Sequence, residues 1–257
     1  MAAAIDEETW GRILSEPNAA PESRLFRHLP SDPRCKLCAA PYRAPFGPIM
    51  RVIGYGALAK NPQLCNRCFS ALSKSPGGAE VQLTVLFADV RGSTAMAEQV
   101  SAGTFSNLLA DFYRLVTDAV QAENGLIDKF LGDGVMALFI PAFTDGNHAR
   151  RGLAAARRIQ DEAHLPVGVG VNTGSAFTGF IGPTSEVTSF SAVGDAVNVA
   201  HRLGDAAKAG ELLISAETAA QAGLETDRAK DAWSMRTLPV KGREEPVQIW
   251  SRLAASA

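Results

Sequence analysis

Leu126-Ile-Asp-Lys-Phe-Leu-Gly-Asp-Gly-Val-Met-Ala-Leu-Phe-Ile140 holds two apolar runs, Leu126 to Leu131 and Val135 to Ile140, parted by Gly132-Asp133-Gly134. Short apolar runs either side of an Asp-Gly turn read as a β-hairpin, because such turns need backbone angles that most side chains resist. Upstream, Thr104 to Glu123 carries Phe105, Leu108, Leu109, Phe112, Leu115, Val116, Ala119 and Val120 at helical spacing, and Asn124-Gly125 stops it. Earlier still, Val81 to Ala88 is an apolar, β-rich run that suits a buried central strand.

Downstream, Asp145 to Ala163 is Ala- and Arg-rich and reads as a helix. Val167 to Asn172 reads as a strand that Phe177 to Ile181 pairs with or extends, and Val187 to Val193 as another strand. A helix over Asp195 to Ala209, a short strand at Leu212 to Ser215, and the strands Trp233 to Val240 and Val247 to Trp250 complete the series. Strand, helix, hairpin, helix, strand predicts an α+β fold: a ferredoxin-like split βαββαβ domain, helices packed on a mostly antiparallel sheet, with additions at its C-terminal end.

The chain has 257 residues, 46% hydrophobic and 20% charged, enough for a packed core. A formal charge of -2 opposes binding driven by nucleic-acid phosphates. No apolar run approaches the roughly 18 residues that span a bilayer, so no membrane is expected. Met1 to Trp10 is acidic and lacks the order of a signal peptide, which predicts a cytoplasmic location.

All four cysteines precede residue 70, as Cys35-x-x-Cys38 and Cys65-x-x-Cys68. Two such knuckles suit a tetrahedral four-thiolate site in a reducing cytosol, holding zinc or an iron–sulfur or other redox centre, with no metal at all as the third reading; all three stay open. A small cysteine-rich metal-binding module that senses redox state or a regulatory partner is one expectation. The expected division is a tail or short helix at 1–30, the cysteine module at 31–73, a Pro/Gly linker at 74–80, and a larger domain at 81–257.

Two aspartates anchor the chemistry. Asp89 ends the first strand, before Val90-Arg-Gly-Ser-Thr94, and Asp133 sits in the hairpin turn. In a split sheet these strands are central neighbours, so both carboxylates can converge on one divalent cation. Gly92, Ser93 and Thr94, leading into a helix, offer backbone N–H groups to a polyphosphate. The plainer readings are a helix cap for Asp89 and a tight turn for Asp133. Lys129 lies mid-strand, sharing a face with Ile127 and Leu131; it either meets a ligand or snorkels to water. Asn198 and Arg202, four apart on a helix, share one face suited to a sugar hydroxyl and a phosphate, or are an ordinary polar surface.

Phe87-Ala-Asp-Val-Arg-Gly-Ser-Thr94, Asp128-Lys-Phe-Leu-Gly-Asp-Gly-Val-Met-Ala-Leu-Phe139 and Val193-Gly-Asp-Ala-Val-Asn-Val-Ala-His-Arg-Leu203 resemble the three signature segments of class III adenylate and guanylate cyclases, in family order and spacing. The resemblance covers about residues 79 to 253 and suits the compact bacterial form, with a short dimerisation arm between Gly179 and Phe190. It implies that Asp89, Asp133 and the Val90 carbonyl hold two Mg²⁺ or Mn²⁺ ions. It further implies that Lys129 and Ser191 read the purine, Asn198 orients the ribose, Arg202 meets the transition-state phosphate, and Lys241 approaches the triphosphate. Ser191 stands where family adenylate cyclases usually carry Asp or Thr. The implied reaction turns ATP into cyclic AMP and pyrophosphate across a homodimer interface. A silent nucleotide-sensing domain and a guanylate cyclase are the rival readings.

Overall fold

The structure is a computed structural model that describes residues 5–30, 32–184, 187–224, 233–239 and 246–254. The first part of the chain forms α1 (Glu7–Ser15), α2 (Ser23–Phe26), α3 (Gly47–Met50) and α4 (Asn66–Ser73). Then come β1 (Gly77–Val90), α5 (Ser93–Gln99), α6 (Ala102–Ala122), β2 (Leu126–Leu131), β3 (Gly134–Phe139), α7 (His148–Glu162) and β4 (Val167–Thr184). After these follow β5 (Val187–Val193), α8 (Asp195–Ala206), β6 (Glu211–Ser215), α9 (Ala216–Gln221), β7 (Trp233–Leu238) and β8 (Val247–Leu253).

The strands form one sheet in the order β2-β3-β1-β4-β6-β8-β7, with β5 paired to the far half of β4. All described pairs are antiparallel except β4 with β6. This is the expected split βαββαβ arrangement with strands added beyond β4. Phe177 to Ile181 extends Val167 to Asn172 as one strand, β4. The expected start of α7 at Asp145 moves to His148, because Asp145 and Gly146 adopt left-handed angles (φ 53° and 78°) that a helix excludes. The helix at Asp195 stops at Ala206, three residues short of the expected end.

β1 is central and buried on both faces. Leu86, Ala88 and Val90 pack with Phe112, Val116 and Val120 of α6 and with Leu153 and Ile159 of α7. Val81, Leu83, Val85 and Phe87 point the other way, toward the N-terminal part of the chain and α8. Close approach of α8 depends on Gly170: a Cβ there would stand 2.0 Å from the Gly204 backbone nitrogen.

For residues 1–30 the short-helix alternative is the one found, as α1 (Glu7–Ser15), while the expected linker is overturned. Trp10 is fully buried, its ring 6.3 Å from that of Phe180, so residues 5–30 are not a loose tail. Within 74–80, β1 already begins at Gly77, with Gly78 opposite Gly179. A Cβ on Gly78 would fall 2.2 Å from the Thr178 carbonyl oxygen. Gly78, read as linker, together with Gly179 opposite it, is therefore what lets β1 and β4 approach so closely, while Gly77 makes room for the Trp10 ring. The cysteine-bearing part packs into the same core cluster as β1 and β4.

Candidate active site

β1 and β3 place Asp89 opposite Gly134, so the hairpin turn brings Asp133 to the end of β1. The Val90 N–H donates to the Asp133 carbonyl at 3.1 Å. Burial, then the charge of Asp133, push the Asp89 carboxyl up to about 6, against the pull of Arg91. The Arg91 guanidinium lies 3.1 Å from Asp89 Oδ2, and the Ser93 hydroxyl donates to Asp133. Two carboxylates crowded at a partly open sheet end are hard oxygen donors whose repulsion a divalent cation relieves, so the residues fit Mg²⁺ or Mn²⁺. Gly92 and Thr94 are exposed beside them, and the first turn of α5 has no side-chain cap.

The second constellation forms around β2. Lys129 Nζ donates to Ser191 Oγ at 3.2 Å and lies 3.4 Å from Asp128 Oδ2. Ser191 in turn donates to Asp128 Oδ2 at 2.7 Å. The expected sharing of a face by Lys129 and Ile127 is overturned. Pairing shifts between them, with Ile127 opposite Ala137 and Lys129 opposite Met136. Asp128 is the extra residue of a bulge, and a bulge inverts the alternation beyond it. Ile127 therefore faces the α6–α7 core while Lys129 turns to Ser191.

On α8, Ala196, Val199, Ala200 and Leu203 are buried, which leaves Asn198 exposed and Arg202 half-buried on the outer face. Neither side chain has a polar partner among the described residues. The structure joins Asp89 with Asp133, and Lys129 with Ser191, but no described hydrogen bond links these pairs to each other or to α8. Lys241 lies outside the described residues.

The four cysteines converge. Their sulfurs all lie within 4.8 Å of one another, with Cys35, Cys38 and Cys65 fully buried. Backbone N–H groups point at sulfur: Cys68 N to Cys65 Sγ at 3.3 Å and Cys65 N to Cys35 Sγ at 3.4 Å. Hydrogen bonds led by Cys38 drive the Cys35 thiol far down, and neighbours led by Cys35 drive Cys68 far up. Such a set cannot ionise fully without a cation, and its geometry fits a four-thiolate metal site.

Three contributors escaped the sequence reading. Arg91 braces Asp89, and Asp128 braces Lys129 and Ser191. Asn61, four residues before Cys65, clamps β2: its amide donates to the Ile127 carbonyl at 3.2 Å and accepts from the Ile127 N–H at 2.8 Å. No spacing pattern announces Asn61 or Asp128, which act on residues distant in sequence or across a bulge, whereas Arg91 lies two residues from Asp89 inside a segment that the sequence reading singles out.

Residues 78–251 match the family model for the adenylate and guanylate cyclase catalytic domain. The chain belongs to that family. It is 34% identical over 186 residues to an uncharacterised protein of Mycobacterium bovis, covering 67% of this chain and 33% of that one. It is 30% identical over 187 residues to an adenylate cyclase of Anabaena cylindrica, covering 66% and 36%. The chain thus spans about a third of the length of the curated relatives it matches. Among solved structures it resembles the adenylyl cyclase CyaB from P. aeruginosa (28% identity, TM-score 0.59, 69% of this chain and 96% of that one). It also resembles the guanylyl cyclase Cya2 (29%, TM-score 0.60, 70% and 95%). Among the described residues, no helix is long and apolar enough to cross a membrane.

Proposed function

We propose that this chain is an adenylate cyclase that forms 3′,5′-cyclic AMP and pyrophosphate from ATP at a site shared by two copies. The observation that carries the reading is the Lys129–Ser191 contact at 3.2 Å, which joins two distant residues with complementary roles toward adenine. Lys129 can only donate, which suits adenine N1; Ser191 accepts from the 6-amino group. Asn198 orients the ribose, and Arg202 offsets charge at the α-phosphate as the 3′-oxygen attacks. Asp89, Asp133 and the Val90 carbonyl would hold two divalent cations, which when bound would supply positive charge at the attacking oxygen and the leaving pyrophosphate. Gly92, Ser93, Thr94 and Lys241 serve the phosphates.

Two copies are invoked because no described hydrogen bond links the carboxylate pair to the purine pair, and Arg202 and Asn198 have no polar partner among the described residues. One copy provides Asp89 and Asp133; the other provides Lys129, Ser191, Asn198 and Arg202. The four cysteines serve as a structural zinc site beside the domain, with an iron–sulfur cluster as the competing occupant.

The test incubates purified chain with ATP or GTP and Mg²⁺ or Mn²⁺, separates the products by chromatography, and repeats this with Asp89→Ala. Cyclic AMP that disappears in the variant supports the reading. Cyclic GMP in excess would make the chain a guanylate cyclase, and no cyclic product would favour a silent nucleotide-sensing domain.

A further inference from the structure

A serine hydroxyl has one proton and two lone pairs, so alone it can accept from the 6-amino group of adenine or donate to the 6-oxo group of guanine. Ser191 is not alone. Its proton goes to Asp128 Oδ2 at 2.7 Å, and one lone pair receives Lys129 Nζ at 3.2 Å. Asp128 is only 3% exposed, and its other oxygen, Oδ1, is buried with no hydrogen-bond partner. Burial pushes the Asp128 carboxyl up, while the Ser191 hydroxyl and the Lys129 charge pull it back toward the ionised form. A carboxylate there accepts and cannot donate.

The residue is also held in place. Its backbone carbonyl receives the Lys60 ammonium, and the neighbouring Ile127 is gripped at both N–H and C=O by Asn61. Releasing the Ser191 proton would leave Asp128 Oδ2 with Lys129 Nζ alone, 3.4 Å away, and so would lose a hydrogen bond to a buried charged group.

We propose that Asp128 is a positioning residue that sets base selectivity: by taking the only proton of Ser191 it leaves that hydroxyl able to accept alone, which suits adenine and opposes guanine. This rests on the adenylate cyclase reading above, with Lys129 at purine N1 and Ser191 at the 6-position.

The test measures kcat/KM for ATP and for GTP with the full chain. In Asp128→Leu the ATP-to-GTP ratio falls about tenfold, the size of effect one misplaced polar group produces. Asp128→Asn retains an oxygen acceptor and keeps most of the preference. In a Ser191→Ala background, Asp128→Leu lowers the ratio no further. An unchanged ratio in folded Asp128→Leu, or an equal fall in both backgrounds, overturns the proposal. Should Asp128→Leu fail to fold, 6-methoxypurine riboside triphosphate on the unaltered chain decides, since it keeps N1 as an acceptor for Lys129 and changes only position 6, from a donor to an acceptor. Turnover as poor as with GTP supports the proposal; turnover equal to ATP overturns it. A chain that makes no cyclic product contradicts the catalytic reading, not this one. The same ratio is then read by displacing a fluorescent ATP analogue with ATP or GTP.

Discussion

Cys35, Cys38, Cys65 and Cys68 face one another inside the core cluster, three of them without exposed surface, whereas Asp89 and Asp133 meet at the end of a sheet with the Asp89 side chain 32% exposed. Four soft donors in a closed ring fill a tetrahedral ion completely; two hard donors at an open edge leave positions for substrate oxygens. The ring is stitched by backbone N–H bonds to sulfur, and the carboxylates repel each other unless a cation or Arg91 intervenes. The closed set suits stability, and the open set suits exchange and chemistry. Each should therefore fail in a different way when it is damaged.

The largest expected effect separates activity from folding. Asp133→Ala should lower kcat for cyclic AMP formation about 10³-fold or more, as loss of a group that organises transition-state charge does. Its thermal midpoint without metal should hold or rise, because a repelling carboxylate is gone. A midpoint that collapses together with activity would mean that both clusters are structural. Next comes Cys65→Ser, or chelation of the unaltered chain. Bound metal read by elemental analysis should be lost, and stability should drop by about 3 kcal/mol, or roughly 6–12 °C at this size. Full retention of stability would remove the closed-site reading.

A smaller effect follows from pH. Asp89 titrates at about 6 in the folded chain against an ordinary value of 3.8. The metal-free folded state therefore binds a proton that the unfolded state does not, between those two values. Stability of metal-free protein should rise as pH falls from 7 toward 4, and Mg²⁺ binding should weaken over the same range. Asp89→Asn should remove this component of both slopes; titration calorimetry and denaturant melts check it. The smallest effect lies where the two regions touch. Asn61→Ala removes two hydrogen bonds to edge strand β2 and should cost about 1–2 kcal/mol. The Ile127 amide should then exchange with solvent faster while the cysteine metal stays bound. Unchanged exchange would leave the cysteine region and the purine pair uncoupled through β2.

Much of the fold was legible because its signals are local. The apolar positions of α6, the hairpin around Asp133 and the apolar run of β1 follow from periodicity and turn chemistry, and the structure moves their ends by only a few residues. Sequence misread the places where one element's form depends on another. Gly77-Gly78 has the composition of a linker, yet pairs as strand because Gly179 lies opposite. The bulge at Asp128 reversed the expected face of Lys129, since alternation counts residues and cannot see an unpaired one. Asp145 and Gly146 look like helix until their left-handed angles are seen.

The order of residues by itself determined the family, the elements of the split sheet, the paired aspartates and the two cysteine knuckles, because each is a short pattern whose chemistry is carried by neighbours in the chain. Only the tertiary structure decided that the four sulfurs meet, that Asp89 is pressed against Asp133, and that Ser191 surrenders its proton to Asp128. Those outcomes depend on burial and on strand register, which join residues 27 to 63 positions apart and set whether a group donates, accepts or ionises.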